Sequence, residues 1–323
     1  MLSLLFHGNC QSISLSKSLE GICSTTCTPL QWDITDEVIS RIRMASTEAD
    51  IVFAMPISSD YCEALSTEQL RSISRAPFVI HPNCHYEAYY PSFDYVRDTD
   101  NKHISISNFD NPHWDYLCHI SYALFVMNIS IENAAEALRR PMHIDLVKRM
   151  AASSLLNLKS REDFIIDKYG NTDLNIPVRF SSLLGQSSDL SSCFHTFNHP
   201  SPSFLGNCLK LLIDSFCHSD LSSQRSGVRE RLLGLRGAIG ESLIPAIPTV
   251  ILPVYPFVST SLGFPSSYNL ATSYNTGKPS LTLEESISAC FAAYALFNTY
   301  IHEAIVQSWR YAKAQEITCQ LMN

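Results

Sequence analysis

LSLLFHGNCQSISLSKSLEGI, residues 2–22, sets the frame for the rest of the chain. Residues 2–7 form a short apolar run with the length of a buried strand, and Gly8 ends it. Ile13, Leu15, Leu19 and Ile22 then recur at an approximately helical period between serines and a lysine, which predicts a helix over 11–22. A strand turning sharply into a helix is the first unit of a parallel α/β sheet.

Further along, 34–44 (DITDEVISRIR) predicts a helix, and 50–55 (DIVFAM) a second buried strand closed by Pro56. STEQLRSI, opening at Ser66, carries a helix-capping signal, and 77–81 (PFVIH) predicts a third strand closed by Pro82. The order strand–helix–strand–helix–strand predicts a doubly wound, mostly parallel sheet of SGNH- or flavodoxin-like type. Helices then cover both faces, and ligands sit beyond the C-terminal strand ends. Gly8–Gln11, Pro56–Asp60 and His81–His85 would meet there.

Residues 113–169 are predicted mainly helical, so that 110–170 forms a helical insert or layer within a single domain spanning 1–323. Residues 181–192 read as a loop or short helix. Pro200 and Pro202 precede an amphipathic helix that runs to 216, and 219–243 includes a basic stretch. Residues 256–282 read as an irregular surface segment, and 282–317 as a long C-terminal helix. GNC occurs at 8–10 and again at 206–208, but the second copy lies inside a helical pattern and reads as coincidence.

The 323 residues are 46% hydrophobic and 17% charged, with a formal net charge of −8, which argues against a broad nucleic-acid surface. The most apolar stretch, 242–258, is broken by four prolines, so no membrane insertion is expected. With no basic, long apolar leader at the start, a cytoplasmic location is expected. Eleven cysteines without a framework read mostly as reduced, buried thiols.

Cys10 stands apart from that background. At a helix N-terminus, free N–H groups and the positive end of the dipole favour a thiolate and a developing oxyanion. Gly8 permits the turn and a close approach, and the Asn9 amide can donate to the same oxyanion. Cys10 therefore reads as a candidate nucleophile, against the alternative of a buried cysteine at a helix start. Its candidate base is His199, stiffened by Pro200, with His81 in reserve. Asn198 can orient a ring or bind substrate. His81, Cys84 and His85 have ligand-like spacing, but no fourth ligand completes a metal site, and none is expected. His113 and His119 read as structural. No GxGxxG, Walker A or GxSxG sequence is present. Arg71, Arg75, Arg139, Arg140, Arg225 and Arg229 are all available to phosphates, and nothing in the sequence selects among them.

Three motifs in order resemble the WcbI-like family of polysaccharide-biosynthesis acetyltransferases. They are Gly8-Asn9-Cys10-Gln11, the segment PNCHYEAYYPSFDY from Pro82 to Tyr95, and Phe194 with Asn198-His199-Pro200. Tyr90-Pro91-Ser92 departs from the family's His-Pro-Asp. The resemblance covers most of 1–216. It implies binding of coenzyme A or acetyl-CoA and transfer of the acetyl group to a sugar hydroxyl at a Cys/His site on the C-terminal rim of the sheet. Cys10, His199 and Asn9 would be catalytic there, and Gly8, Gln11, His81 and Asn198 would line the cofactor. The implied partners are a small-molecule acyl donor and a carbohydrate acceptor, with a homodimer also considered. The competing readings are a thiol-dependent esterase or hydrolase, and a non-catalytic module binding CoA or a glycan.

Overall fold

The computed structural model describes residues 1–29, 33–170, 174–184, 193–239, 244–247, 249–263, 273–274 and 280–323. Most of the loop read at 181–192, and much of the segment read at 256–282, lies outside the described residues. The chain gathers into two compact units. The first comprises Met1–His85, Leu156–Phe194 and His199–Ile247, and the second Tyr86–Leu155, His195–Asn198 and Pro248–Asn323.

The first unit holds a five-stranded parallel sheet. Strand β1 (Ser3–His7) pairs with β2 (Ser24–Cys27) on one side and β3 (Ile51–Ala54) on the other. β3 pairs with β4 (Phe78–Ile80), and β4 with the strand Asn175–Pro177. The order β2-β1-β3-β4 reverses direction between β1 and β3, and a parallel sheet of this kind opens a ligand crevice at such a reversal. Leu4, Leu5 and Phe6 of β1 and all of β3 are buried, as a strand covered on both faces requires.

On one face of the sheet, Leu5, Val52, Phe78 and Ile80 pack with Ile42 of α2 (Asp36–Glu48), Leu70 of α3 (Thr67–Ile73), and Ile165 and Tyr169. α1 (Cys10–Lys17) and the helix Pro202–Cys217 pack together, and the latter also reaches β4. α1 is shorter than the predicted 11–22, because the chain turns at Gly21, whose φ of +80° suits glycine.

The second unit adds a three-stranded antiparallel sheet, with Phe93–Arg97 between His103–Ile104 and Tyr116–Cys118. The fold is therefore α/β with both parallel and antiparallel sheets. Tyr116–Cys118 is a strand where a helix was expected, and the helical layer begins only at His119. It continues through Ile131–Arg139 and the first turns of Asp145–Tyr169, the rest of which, from Leu156, belongs to the first unit.

The predicted C-terminal helical stretch is helical from Leu283 to Met322, in three pieces: Leu283–Tyr294, Thr299–Gln307 and Trp309–Met322. Asn298 and Ser308 accept backbone N–H groups and restart the helix each time. Tyr122, Tyr294, Ile301 and Tyr311 pack with Val96 and Leu117 to form this unit's core. Pro256–Leu262, read from sequence as irregular, is a helix entered at a proline and stopped at Gly263. Among the described residues, no helix is long and apolar enough to cross a membrane.

Candidate functional site

The turn after β1 is built for close packing. A Cβ on Gly8 would come within 2.3 Å of Ser12 Oγ and 3.1 Å of the Met55 side chain, so only glycine fits without displacement. Asn9 is the N-cap of α1, and its Oδ1 accepts the Gln11 N–H at 3.0 Å. Cys10 is the first residue of the helix.

Gln11 is buried and ties this turn to the loop after β4. Its Nε2 donates to Asn83 Oδ1 at 2.7 Å and to the Cys84 carbonyl at 2.9 Å, and its Oε1 accepts the Cys84 N–H at 3.1 Å. Gln11→Ala would leave those three groups unsatisfied. It is expected to cost about 2–4 kcal/mol in a urea-unfolding measurement, and a loss under about 1 kcal/mol would show that the link does not hold the loop.

The loops following β1, β3 and β4 line one cavity of about 360 Å³. Its walls are Gly8 and Asn9, then Met55, Pro56, Ile57, Ser58 and Tyr61, then Asn83. The lining is apolar on the β3 side and carries two amides, with no lysine or arginine.

Cys10 differs from expectation. Burial pushes its thiol up to about 11, and the N–H groups of Gln11 and Cys10 only partly oppose this. The helix start does not yield a thiolate, because desolvation outweighs the two N–H contacts.

His81 is fully buried, its ring tilted against Phe180, with Nδ1 at 3.1 Å from the Pro82 carbonyl and Nε2 without a partner. Burial holds it neutral, at about 4. His199 is buried in the two-residue strand His199–Pro200. In the second unit, Asn198 is locked among hydroxyls. Its Oδ1 accepts from Tyr116 at 3.1 Å and Thr196 at 2.7 Å, and its Nδ2 donates to Tyr95 at 3.1 Å. Among the described residues no group of three or more metal-ligating side chains converges.

The family model for the polysaccharide biosynthesis enzyme WcbI matches residues 3–216, about two thirds of the chain. The chain belongs to the WcbI family. A solved WcbI structure resembles it along 98% of both chains, with a TM-score of 0.65 and 15% identity. That structure is described as the native protein of a novel polysaccharide biosynthesis enzyme, without a disulfide bond between CoA and a cysteine fourteen residues into its chain. No curated protein matches this sequence at a significant level.

These findings correct the expected reaction, in which a Cys10–His199 site at the C-terminal rim carries an acyl group from coenzyme A to a sugar hydroxyl. The cysteine named with CoA in the solved WcbI structure lies near that chain's N-terminus, and the bond named is a disulfide between cysteine and CoA. In this WcbI-family chain burial raises the Cys10 thiol to about 11, away from the thiolate that the expected reaction required.

Proposed function

We propose that this WcbI-family protein is a CoA-utilising enzyme of polysaccharide biosynthesis that receives the thiol end of CoA at the turn before α1. The observation that carries the reading is the cavity lined by Gly8 and Asn9, the two residues before Cys10 in the chain, at the reversal between β1 and β3. The strand order also supports a doubly wound, SGNH- or flavodoxin-like relationship for the first unit.

The lining fits the pantetheine arm. Met55, Pro56 and Ile57 suit its methylenes, and the Asn9 and Asn83 amides suit its two amide groups. The lining carries no lysine or arginine, so in this reading the CoA phosphates lie beyond it. CoA would supply a thiol or thioester. The chain supplies the glycine that lets it approach, the cap that fixes the turn, and Gln11, which positions that turn. Cys10 lies against the thiol as a neutral neighbour.

At neutral pH a thiol near 11 is ionised only to about one part in 10⁴. A mixed disulfide therefore forms slowly and faster as pH rises: the Cys10 thiolate attacks CoA disulfide, and one CoA thiolate leaves.

With reductant present, CoA at 100 times its dissociation constant is expected to stabilise the fold by about 2.7 kcal/mol, read as a higher melting temperature. Cys10→Ser should keep that shift. Without reductant, CoA disulfide should add one CoA mass to wild type and none to Cys10→Ser. No thermal shift with CoA, or an adduct on a different cysteine, would overturn the reading. Release of free CoA from acetyl-CoA that requires an added sugar hydroxyl would mark the O-acetyltransferase the resemblance implies, with the acetyl group passing to that hydroxyl; release without an acceptor would mark hydrolysis to acetate.

A further inference from the structure

The basic stretch within 219–243 contains Arg225, Arg229, Arg231 and Arg236, and neither a lysine nor an aromatic residue. It forms the helix Ser226–Ala238, with Arg225 at its N-cap. Val228, Leu232 and Leu235 are buried where this helix packs on Pro202–Cys217 and Asp220–Ser223, all within the first unit. Arg225, Arg229 and Arg236, at i, i+4 and i+11, share one flank, and Arg231 takes the other.

The way these side chains are held separates them from ordinary surface charge. Arg225 Nη2 donates to the Arg75 carbonyl at 2.8 Å, Arg229 Nε to the Cys217 carbonyl at 3.1 Å, and Arg231 Nε to the Gly227 carbonyl at 2.9 Å. A carbonyl orients a guanidinium and leaves its charge in place. Among the described residues none of these three pairs with a carboxylate, whereas Arg236 pairs with Asp214. The acids that oppose them are Glu230, the helix's one acidic residue, and Asp220 on the neighbouring helix. Arg75, itself exposed, lies beside Arg225.

We propose that this face is a docking surface for an anionic phospholipid bilayer, with the helix lying along the headgroups and the oriented guanidiniums on their phosphates. The chain carries −8 overall, so a flexible polyanion spreading over it is repelled across most of the surface, while a flat bilayer need meet only this face. The guanidinium fork matches two phosphate oxygens at once. A single-stranded nucleic acid takes aromatic stacking platforms, and this stretch has none. Between the arginine flanks stand Leu233, 38% exposed, and Gly234 and Gly237, where an added Cβ would meet nothing within 4 Å. No bulky side chain there holds a flat partner away. The helix's apolar side is buried in the fold, so the attachment is electrostatic and falls with salt. The inference stands independently of the CoA reading, because none of these residues lines the cavity at Gly8.

The test is co-sedimentation of the full chain with vesicles of phosphatidylglycerol and phosphatidylcholine in equal parts, and of phosphatidylcholine alone, at about 50 mM and about 300 mM salt. CoA binding is measured on the same preparation. Binding to the mixed vesicles at low salt is expected, none to phosphatidylcholine alone, and a weakening of at least roughly tenfold at high salt. Replacing Arg225, Arg229 and Arg231 together by Gln is expected to weaken binding at least roughly tenfold. Arg231 bonds within its own helix, so Arg231→Gln alone should weaken binding a few-fold with the melting temperature unchanged. Glu230→Gln, which removes an opposing charge, should strengthen it. No sedimentation with the mixed vesicles at low salt would overturn the proposal whether or not CoA binds. So would equal binding to phosphatidylcholine alone, or unchanged binding in Arg231→Gln and in the triple variant. Poly-L-glutamate or oligo-dT, at equal charge, binding these arginines more tightly than the vesicles would also overturn it and assign the face to an acidic protein or a nucleic acid.

Discussion

Urea-unfolding midpoints are expected to fall steeply as pH drops below about 6.5, well before carboxylates titrate. Four histidines drive this. His7 and His81 in the first unit, and His113 and His119 in the second, are each at most 2% exposed. Burial lowers the first two to about 4 and the second two to about 3. Unfolded histidine titrates near 6.5. A folded value below the unfolded one means the unfolded chain binds more protons as pH falls. The stability is therefore complete above about 6.5 and is lost on the way down toward 4 and 3. At pH 5.5 each histidine costs about 1.4 kcal/mol, and four together cost about 6 kcal/mol, which rivals the whole stability of a typical domain. Between pH 6 and 5 the slope should approach four protons taken up on unfolding, about two for each unit if the units melt separately. His81→Phe should lower it by about one. Midpoints that stay flat from about pH 8 to 5 would show that these rings become protonated in the folded state, with acceptors for both N–H groups.

Those histidines also show what the sequence could and could not reveal. His113 and His119 read as structural from their place in an apolar stretch. His113 Nε2 lies 3.1 Å from Ser286 Oγ, and its Nδ1 3.5 Å from Cys290 Sγ, both buried and 173 or more residues away in sequence. No local pattern signals such a partner.

The buried strands β1, β3 and β4 were legible, because strands covered on both faces must be continuously apolar. β2 was not. Its sequence, Ser24-Thr25-Thr26-Cys27, is polar and partly exposed at the edge of the sheet. Asn175–Pro177 is too short to show a period. Tyr116–Cys118 was hidden because an apolar strand of three residues that runs straight into a helix looks like that helix's first turn. At the site, Gly8, Asn9 and Cys10 stood out as a turn between a strand and a helix. The protonation of Cys10 did not, since a helix start pulls a thiol down while burial pushes it up, and only the fold sets the burial. The role of Gln11 likewise depends on the loop at Asn83 and Cys84, 72 and 73 residues away.

Arg310→Met is expected to cost about 3 kcal/mol at neutral pH. Arg310 is 4% exposed at the second position of the helix Trp309–Met322, where the positive end of the helix dipole disfavours a cation. Two carboxylates hold it there. Its Nη2 lies 2.6 Å from Glu87 Oε1, and its Nε pairs with Asp94. Burial acts to lower the guanidinium's pKa, but Asp94 and Glu87 more than offset it. Methionine keeps most of the buried stem, so the loss reports the charge and not a cavity. What remains is two carboxylates, each about a quarter exposed, facing one another without a cation. Partial exposure keeps the expected cost at the lower end for a broken buried pair. The triple variant Arg310→Met, Glu87→Gln, Asp94→Asn removes that repulsion and should recover more than half of the loss. A double-mutant cycle on Arg310 and Asp94 should give a coupling above about 1 kcal/mol. If Arg310→Met and the triple variant unfold at the same urea concentration, the loss comes from packing around the stem, and the carboxylates do not depend on the guanidinium.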